Sequence, residues 1–571
     1  MIVRLADHII TPLGDGVESN LAALRCGESR LAVHHDVHGE SVAEPFVGSL
    51  FDHLPERHGF TPFEALCIAV AEPAVRRARV DVSADDCVFI ISTTKGNIWS
   101  SPADSARKVA AFFGNNTPPV VVSNACTSGV SAQLTAFRLL SSGRYKTAVL
   151  IGCDVQNRFI VSGFQAFKAL SATPCKPFDA ARNGLNAGEA AAALILTRTD
   201  RPATSIEPPT SAMSPSSIEP SSGMWTLLGG GIHNDANHIS GPSRTAEGSW
   251  RCLRDTLALL RPDEVACVSV HGTATLYNDE MEALALHRAG LGDIPVSGLK
   301  GSYGHTMGAA GLLETILTLH ALDRGIVLPT RGFTEQGTTN AVNVSPEERS
   351  TDERAFIKLL SGFGGVNAAV AWRKGKGTEK GTEECIEKAV DAPISSDVRH
   401  TAEQTDYEVL HEVRIDGPTD LVARYRIVAG DYPKFFKMDT LCRLGFVATE
   451  ELLHSFAERI DPERTVLILA NHSASLQNDL DYQTTIAEPA NYYPSPALFV
   501  YTLPNIVTGE LAIRHHLFGE TTFYILEKES DLAPLVAATL TATSCPSAIV
   551  GWVECSSRTE FSAHLQLLVR R

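Results

Sequence analysis

What this sequence has little of narrows it first. No two of its 12 cysteines form a CxxC pair, so neither a zinc site nor a thioredoxin-like redox pair is suggested. Thiols scattered in this way fit a reduced, intracellular compartment. No apolar run approaches the roughly 20 residues that a membrane helix needs, so no membrane span is expected. The opening stretch "MIVRLADHIITPLGDG" places Arg4 and Asp7 inside its apolar part and does not read as a secretory signal. A cytoplasmic location is the expectation. Positive charge is scarce: 49 Lys and Arg stand against 66 Asp and Glu, a net charge of −17. Nucleic-acid binding is therefore not expected, because phosphate neutralisation needs clustered cations.

What is present is globular. The chain is 44% hydrophobic and 20% charged, and its 571 residues exceed one ordinary core, so two or more domains are expected. Residues 1–373 read as an α/β body in which short apolar runs alternate with helical patterns. The runs are "CVFIIST" (87–93), "TAVLIGCD" (147–154), "AAAALILT" (190–197) and "VACVSVHGT" (265–273). The Pro/Ser/Glu-rich 201–223 reads as a surface excursion, and the charged, Gly-bearing 374–403 as a linker. A smaller apolar segment occupies 404–571. Its stretch 436–477 repeats the order helix, polar turn, apolar strand, polar loop found at 59–97, which suggests a duplicated unit.

Four places could carry chemistry. In "VVVSNACTSGVSAQLTAFRLL", Cys126 sits at a strand-to-helix corner. A buried cysteine is commonly inert, but a thiol at a helix N-terminus gains nucleophilicity because the positive end of the dipole stabilises thiolate. His271 follows an apolar strand directly. Lys300 and His305 flank a Gly-rich loop before a helix that should bury Leu312, Ile316 and Leu319 on one stripe. A further Gly-rich turn, "GFGG", lies between two apolar strands at 362–365. Strand ends of open α/β sheets are where ligands bind.

In this order the residues resemble the β-ketoacyl-carrier-protein synthases, condensing enzymes of the thiolase superfamily with a Cys-His-His site. The resemblance rests on "NACTSG" (124–129), "CKPFDAARNGLNAGEAAAALIL" (175–196), "HGTATLYND" (271–279), "KGSYGHTMGAAG" (300–311) and "GFGGVN" (362–367). It implies a layered αβαβα thiolase-like fold of two similar halves and a decarboxylative condensation in fatty acid, polyketide or polyene assembly. Cys126 would carry the acyl group. His271 and His305 would donate to the enolate oxygen formed when malonyl-carrier protein loses CO₂. Lys300 would hold the histidine network, with Glu314, Asp279 and Glu282 as ionic partners. The backbone N–H groups of Cys126 and Phe363 would form an oxyanion hole, Phe363 would gate the pocket, and Thr273 and Thr275 would bind the pantetheine arm. No metal and no tightly held cofactor is implied, since substrates arrive on the phosphopantetheine arm of acyl carrier protein. That protein is the expected partner, together with a second synthase-like chain in a homodimer or heterodimer. Ser361 stands where an aromatic is usual, and Val366 where Thr is usual.

Two other readings remain open: a non-condensing scaffold or chain-length partner subunit, and an acyltransferase or decarboxylase on the same fold. Segment 404–571 resembles only the N-terminal half of a synthase, has no cysteine at the nucleophile corner, and is expected to be non-catalytic. Its stretch "PSPALFVYTLPNIV" (494–507) is too apolar to face water. Its cover could be the segment's own helices, the first body or another chain, and a surface left bare by the lack of a second half favours a partner. A chain ending near Trp372 should then retain the Cys-His-His chemistry but lose assembly.

Overall fold

The apolar runs pair into one five-stranded pattern that the chain builds three times. The computed structural model describes residues 1–199, 223–375, 406–488 and 492–571. The expected surface excursion at 201–223 and the linker at 374–403 lie, apart from Gly223, Lys374 and Gly375, outside the described residues. We number only the strands and helices of the three units.

The first unit comprises β1 (Ile2–Thr11), α1 (Pro62–Ala78), β2 (Cys87–Ser92), α2 (Pro102–Phe112), β3 (Val120–Val122), α3 (Ser128–Ser141), β4 (Thr147–Asp154), α4 (Arg158–Ala166) and β5 (Ala190–Arg198). Its sheet order is β3-β2-β4-β5-β1; the pairs within β3-β2-β4 are parallel and the rest antiparallel. The second unit runs β6 (Trp225–Asn234), α5 (Glu247–Leu257), β7 (Val265–Ser269), α6 (Leu276–Arg288), β8 (Pro295–Ser297), α7 (Ala310–Asp323), β9 (Ala355–Ser361) and β10 (Val366–Lys374). Its order, β8-β7-β9-β10-β6, repeats the first with the same directions, and a two-residue strand, Asn343–Val344, adds parallel to the outer edge of β8. These are two similar halves, and their layers match the expected architecture. Helix α1 packs on the first sheet, α5 on the second, and α3 and α7 touch both sheets from between.

The third unit follows the same plan. It has β11 (Tyr407–Asp416), α8 (Thr440–Leu453), β12 (Val466–Asn471), α9 (Leu476–Thr484), α10 (Ile506–His515), β13 (Thr521–Ile525), α11 (Ala533–Thr543), β14 (Ser547–Cys555) and β15 (Phe561–Arg570). The order is β13-β12-β14-β15-β11. The helix-then-strand repeat seen at 59–97 and 436–477 is thus α1–β2 and α8–β12. Each helix starts at a side-chain cap: Thr61 with Glu64 in a capping box before α1, and Asp439 before α8.

The first and third units join edge to edge. Strand β3 pairs antiparallel with β13, Val122 opposite Tyr524 and Val121 opposite Ile525, so one sheet runs through both units. Asn124 extends the seam: its Oδ1 accepts the Phe523 N–H at 2.8 Å. Behind it, Arg138 on α3 meets Glu520 with two hydrogen bonds of 2.6 Å, both side chains buried. The edge strand of the first unit is therefore closed by the chain's own C-terminal segment.

Helix α7 differs from expectation. Apart from His320, it is buried from Ala310 through Leu322 on every face, including Glu314, Thr315 and Thr318. It lies between sheets rather than on one. Its approach to α3 is set by two glycines: a Cβ on Gly129 would stand 2.8 Å from the Gly311 Cα. Gln133 then bridges the helices, its Nε2 donating to Gly311 O at 3.1 Å and its Oε1 accepting from Trp372 Nε1 at 3.0 Å.

Candidate active site

Cys126 lies in a short 3₁₀ turn, Ala125–Thr127, between β3 and α3. Ala125 takes a left-handed backbone conformation (φ 49°), which turns the chain sharply and presents the thiol. The glycine loop between β9 and β10 closes over this corner. A Cβ on Gly362 would lie 3.2 Å from the Cys126 nitrogen, tight enough that any larger residue would push the two backbones apart by a few tenths of an ångström. Among the described residues, no backbone carbonyl takes the N–H of Cys126 or of Phe363.

His305 stands opposite, its Nε2 3.0 Å from Cys126 Sγ. Its main chain is pinned on both sides: its N–H donates to Asn186 O at 2.7 Å and its carbonyl accepts from Gly188 N at 3.1 Å. The Met307 N–H donates to Nδ1 at 3.3 Å, which leaves the proton of the neutral ring on Nε2, facing sulfur. The His271 ring lies 5.0 Å from His305, centroid to centroid, at 81°. Its Nδ1 is buried and, among the described residues, has no hydrogen-bond partner.

Burial dominates the electrostatics. It pushes both imidazoles well below their ordinary range; the Lys300 charge adds to this for each, as does Lys358. Both rings are therefore neutral donors. Burial also pushes the Cys126 thiol up to about 12, and the Lys300 charge offsets this only in part. The helix dipole alone does not deliver a resting thiolate, as the corner position had suggested. At this thiol desolvation wins.

Lys300 is fully buried and donates to His271 O and to Glu314 Oε1, both at 2.7 Å. Asp279 and Glu282 do not act as its ionic partners. Glu282 accepts the main-chain N–H groups of His271 and, at 2.8 Å, Gly272. Asp279 accepts from Phe178 N at 2.7 Å and Ala274 N at 3.2 Å. Both carboxylates shape the loop after β7, and burial lifts them to about 7 and about 6 respectively.

Cys126, His271 and His305 open on a cavity of about 390 Å³, with Thr273 and Thr275 on its wall, their hydroxyls 2.9 Å apart. Ser361 is on the wall too, its hydroxyl bonded to Asn367 Oδ1 at 2.7 Å. Phe363, the expected gate, lines the cavity as well, and sequence reading missed other parts of the wall. Phe499, Thr502 and Leu503 enter from the third unit. The Phe499 ring packs against Phe159, Phe164 and Phe167 of the first unit, at 6.3, 5.4 and 6.1 Å between centroids. Gly163 on α4 makes room for it, since a Cβ there would overlap the ring. The buried part of the 494–507 stretch is thus covered by the first body at Phe499 and by its own unit's α8, where Gly445 admits Val507. A buried ion pair fastens it: Lys95 Nζ meets Asp479 Oδ1 at 2.6 Å and also donates to Thr502 O.

Two other missed residues had a signal. Lys358 is the one charge inside the apolar "AFIKLLS" of β9, and Asp154 ends the apolar β4. Asp154 accepts from Thr93 Oγ1 at 2.5 Å, Thr94 N at 3.0 Å and Gly308 N at 2.7 Å, tying the loop after β2 to the start of α7. At the corner after β13, equivalent to that of Cys126, the chain reads Leu526, Glu527, Lys528, Glu529 and offers no nucleophile. Among the described residues, the only group of three or more His, Cys, Asp and Glu side chains close enough to hold a metal ion is Cys126, His271 and His305, whose ligand atoms lie within 4.8 Å of one another.

A thiol at a strained corner, two neutral imidazoles above it and a buried Lys–Glu pair behind them, set between two five-stranded halves, define a thiolase-type condensing enzyme. Comparison with known proteins agrees. Residues 55–201 match the β-ketoacyl synthase N-terminal domain and 225–334 its C-terminal domain. Nodulation protein E of Rhizobium meliloti is 30% identical over 285 residues, 48% of this chain and 67% of that one. A putative polyketide β-ketoacyl synthase 1 of Streptomyces halstedii is 28% identical over 284 residues, 47% of this chain and 64% of that one. The chain belongs to the β-ketoacyl synthase family. Among solved structures, a ketosynthase (ApeO) in complex with its chain length factor (ApeC) from Xenorhabdus doucetiae covers 66% of this chain and 98% of its own, with 23% identity and a TM-score of 0.56. A further structure, described as PfaC keto synthase-chain length factor, covers 100% of this chain and 78% of its own at 12% identity, with a TM-score of 0.70. These two likenesses are of fold. No helix among the described residues is long and apolar enough to cross a membrane.

Proposed function

We propose that this synthase condenses an acyl group held on Cys126 with malonyl-carrier protein. The observation that carries the reading is the donor set. His305 aims Nε2 at Cys126 Sγ, 3.0 Å away, and its Nδ1 is held by Met307 so that Nε2 bears the proton. In the first half-reaction sulfur attacks the acyl thioester carbonyl. The C–S bond to pantetheine breaks, and pantetheine leaves as a thiol carrying the proton that Cys126 gives up. The carbonyl oxygen turns negative between the N–H groups of Cys126 and Phe363. In the second, malonyl thioester loses CO₂ and its electron pair passes to the α-carbon. The charge rests on the thioester oxygen, where His271 and His305 donate. The carbanion then attacks the Cys126 acyl carbon and the C–S bond breaks, giving a β-ketoacyl thioester and a Cys126 thiolate that takes up a proton to return to the resting thiol. Thr273 and Thr275 line the pantetheine path.

This chemistry needs acyl carrier protein as partner and no metal or prosthetic group of the synthase itself. The third unit takes the place of a second subunit: it pairs with β3, walls the pocket with Phe499 and holds the gate loop. The product's acyl length is then set inside one chain. A cytoplasmic setting fits carrier-bound substrates and unpaired cysteines. A pure scaffold is disfavoured because it has no use for Cys126, His271, His305 and Lys300 together.

The test is incubation of the full chain with acyl- and malonyl-carrier protein, with mass spectrometry of the carrier arm. A β-ketoacyl product supports condensation. Acyl transfer or malonyl decarboxylation without a C–C bond supports the acyltransferase or decarboxylase reading, and an unchanged arm supports the scaffold.

A further inference from the structure

One buried cation at the site has no role in the mechanism above. Lys358 lies at the middle of β9, completely enclosed, with its neighbours Phe356, Ile357, Leu359 and Leu360 all buried. A lysine so placed is costly unless its three protons find acceptors. All three do. Lys358 Nζ donates to Ser269 O at 3.1 Å, to Val270 O at 2.9 Å and to Glu314 Oε2 at 2.5 Å. Lys300 takes the next carbonyl along, that of His271, and the other oxygen of the same carboxylate.

Two lysines sharing one glutamate therefore hold three consecutive carbonyls, 269, 270 and 271. Glu282 holds the N–H groups of His271 and Gly272 on the other side. Strand β7 ends at Ser269; the Val270 N–H still reaches Ser297 O at 3.0 Å, and the two lysines take the carbonyls as the chain leaves the sheet. We infer that Lys358 is a second positioning lysine of the active site: it fixes the end of β7 that carries His271, and so aims that imidazole for the decarboxylation half-reaction.

The inference rests on the condensation reading for its activity test, and it adds an electrostatic consequence. The groups facing Lys358 are Glu314 from α7, Lys300 from the turn before His305, Glu282 from α6 and Cys267 from β7. Burial pushes Lys358 down to about 8, opposed mainly by Glu314, so it is largely charged at neutral pH. Its charge reaches both histidines and holds their protonation down, along with burial and Lys300. Removing that charge must raise the histidine titration and move the acid limb of decarboxylation to higher pH.

The experiment compares the full-length protein with Lys358→Met and Lys358→Arg, and with Lys358→Gln should the methionine variant fail to fold. Single-turnover acylation of Cys126 should change by less than about threefold in Lys358→Met. Malonyl decarboxylation should fall by about tenfold or more, as expected for a misaimed catalytic group. Its acid limb should rise by at least about half a pH unit. Lys358→Arg, which keeps the charge, should lose rate but keep the limb. A Lys358→Met protein that folds with an unaltered rate and limb overturns the inference, as does equal loss of both half-reactions. If the wild-type protein neither acylates nor decarboxylates, the functional reading fails separately. The titration of ¹³C-labelled His271, assigned with His271→Ala, then decides the role of Lys358: an upward shift in Lys358→Met supports it and an unmoved titration overturns it.

Discussion

Asn505 donates its side-chain N–H to the carbonyl of Phe363 at 2.8 Å. The donor belongs to the C-terminal unit and the acceptor to the glycine loop that covers Cys126. The contact is backed by close packing, because a Cβ on Gly509 would meet Gly364 O at 2.6 Å. Asn505→Ala leaves the Phe363 carbonyl without that donor and should cost about 1–2 kcal/mol of stability. Acylation of Cys126 should fall several-fold through misplacement of the Phe363 N–H. Thermal unfolding and single-turnover acylation measure the two effects, and an unaffected acylation rate would show that the gate loop stands without the third unit.

Cys126→Ala should abolish acyl loading on the protein and leave unfolding unchanged, since the side chain is small and half-buried. With the resting thiol pushed up to about 12, alkylation of Cys126 by iodoacetamide should be slow at pH 7 and accelerate steadily towards pH 9. Peptide mapping after limited labelling checks this. A rate already level at pH 7 would mean the thiolate exists at rest.

Loss of either imidazole should cut malonyl decarboxylation by about 10²–10³-fold, the cost of one donor to a developing oxyanion. His305→Ala should also slow acylation, because His305 Nε2 stands 3.0 Å from the attacking sulfur. Both imidazoles titrate well below 6.5, so the decarboxylation rate should stay flat as pH falls through 6.5. Stability should not. Below 6.5 the unfolded chain protonates these histidines and the folded one does not, so each weakens the fold by up to about 1.4 kcal/mol per pH unit. Denaturant unfolding at pH 7.0, 6.0 and 5.5 tests the sign.

Lys95 and Asp479 join the first and third units inside the protein. Replacing either alone, as Lys95→Met or Asp479→Leu, should cost about 3–5 kcal/mol by stranding the other charge. The double variant should recover much of this loss. Additive penalties in the double variant would show that the pair does not interact.

A chain ending at Gly375 should lose Cys126 acylation along with its solubility, because Phe499, Thr502 and Leu503 leave the pocket wall and β3 loses its partner strand. Supplying residues 406–571 as a separate chain should restore part of the activity if the two pieces find each other. A truncated protein with full turnover would refute the shared pocket.

Much of this was legible in the residues. The apolar runs 87–93, 147–154, 190–197 and 265–273 are strands β2, β4, β5 and β7, since a strand buried on both faces must be apolar throughout. The motif order brought Cys126, His271, His305, Lys300 and Glu314 together. What stayed hidden depends on contacts between distant segments. Asp279 and Glu282 have the right charge to pair with Lys300, and only the fold sends them to backbone N–H groups. Phe499 reads as generic apolar surface until Gly163, more than three hundred residues earlier, is seen to make room for it. The thiol's elevation is likewise unreadable locally: a helix N-terminus is visible in sequence, and the depth of the pocket around it is not.

The β3–β13 seam has a consequence for mass action. Where such a seam joins separate chains, occupancy of the pocket wall depends on how much of each chain is present, and dilution empties it. Here both strands lie on one polypeptide, so the wall is present at a fixed local concentration however dilute the protein becomes. Turnover per molecule should then be independent of protein concentration, and one copy of the wall is made for every copy of Cys126.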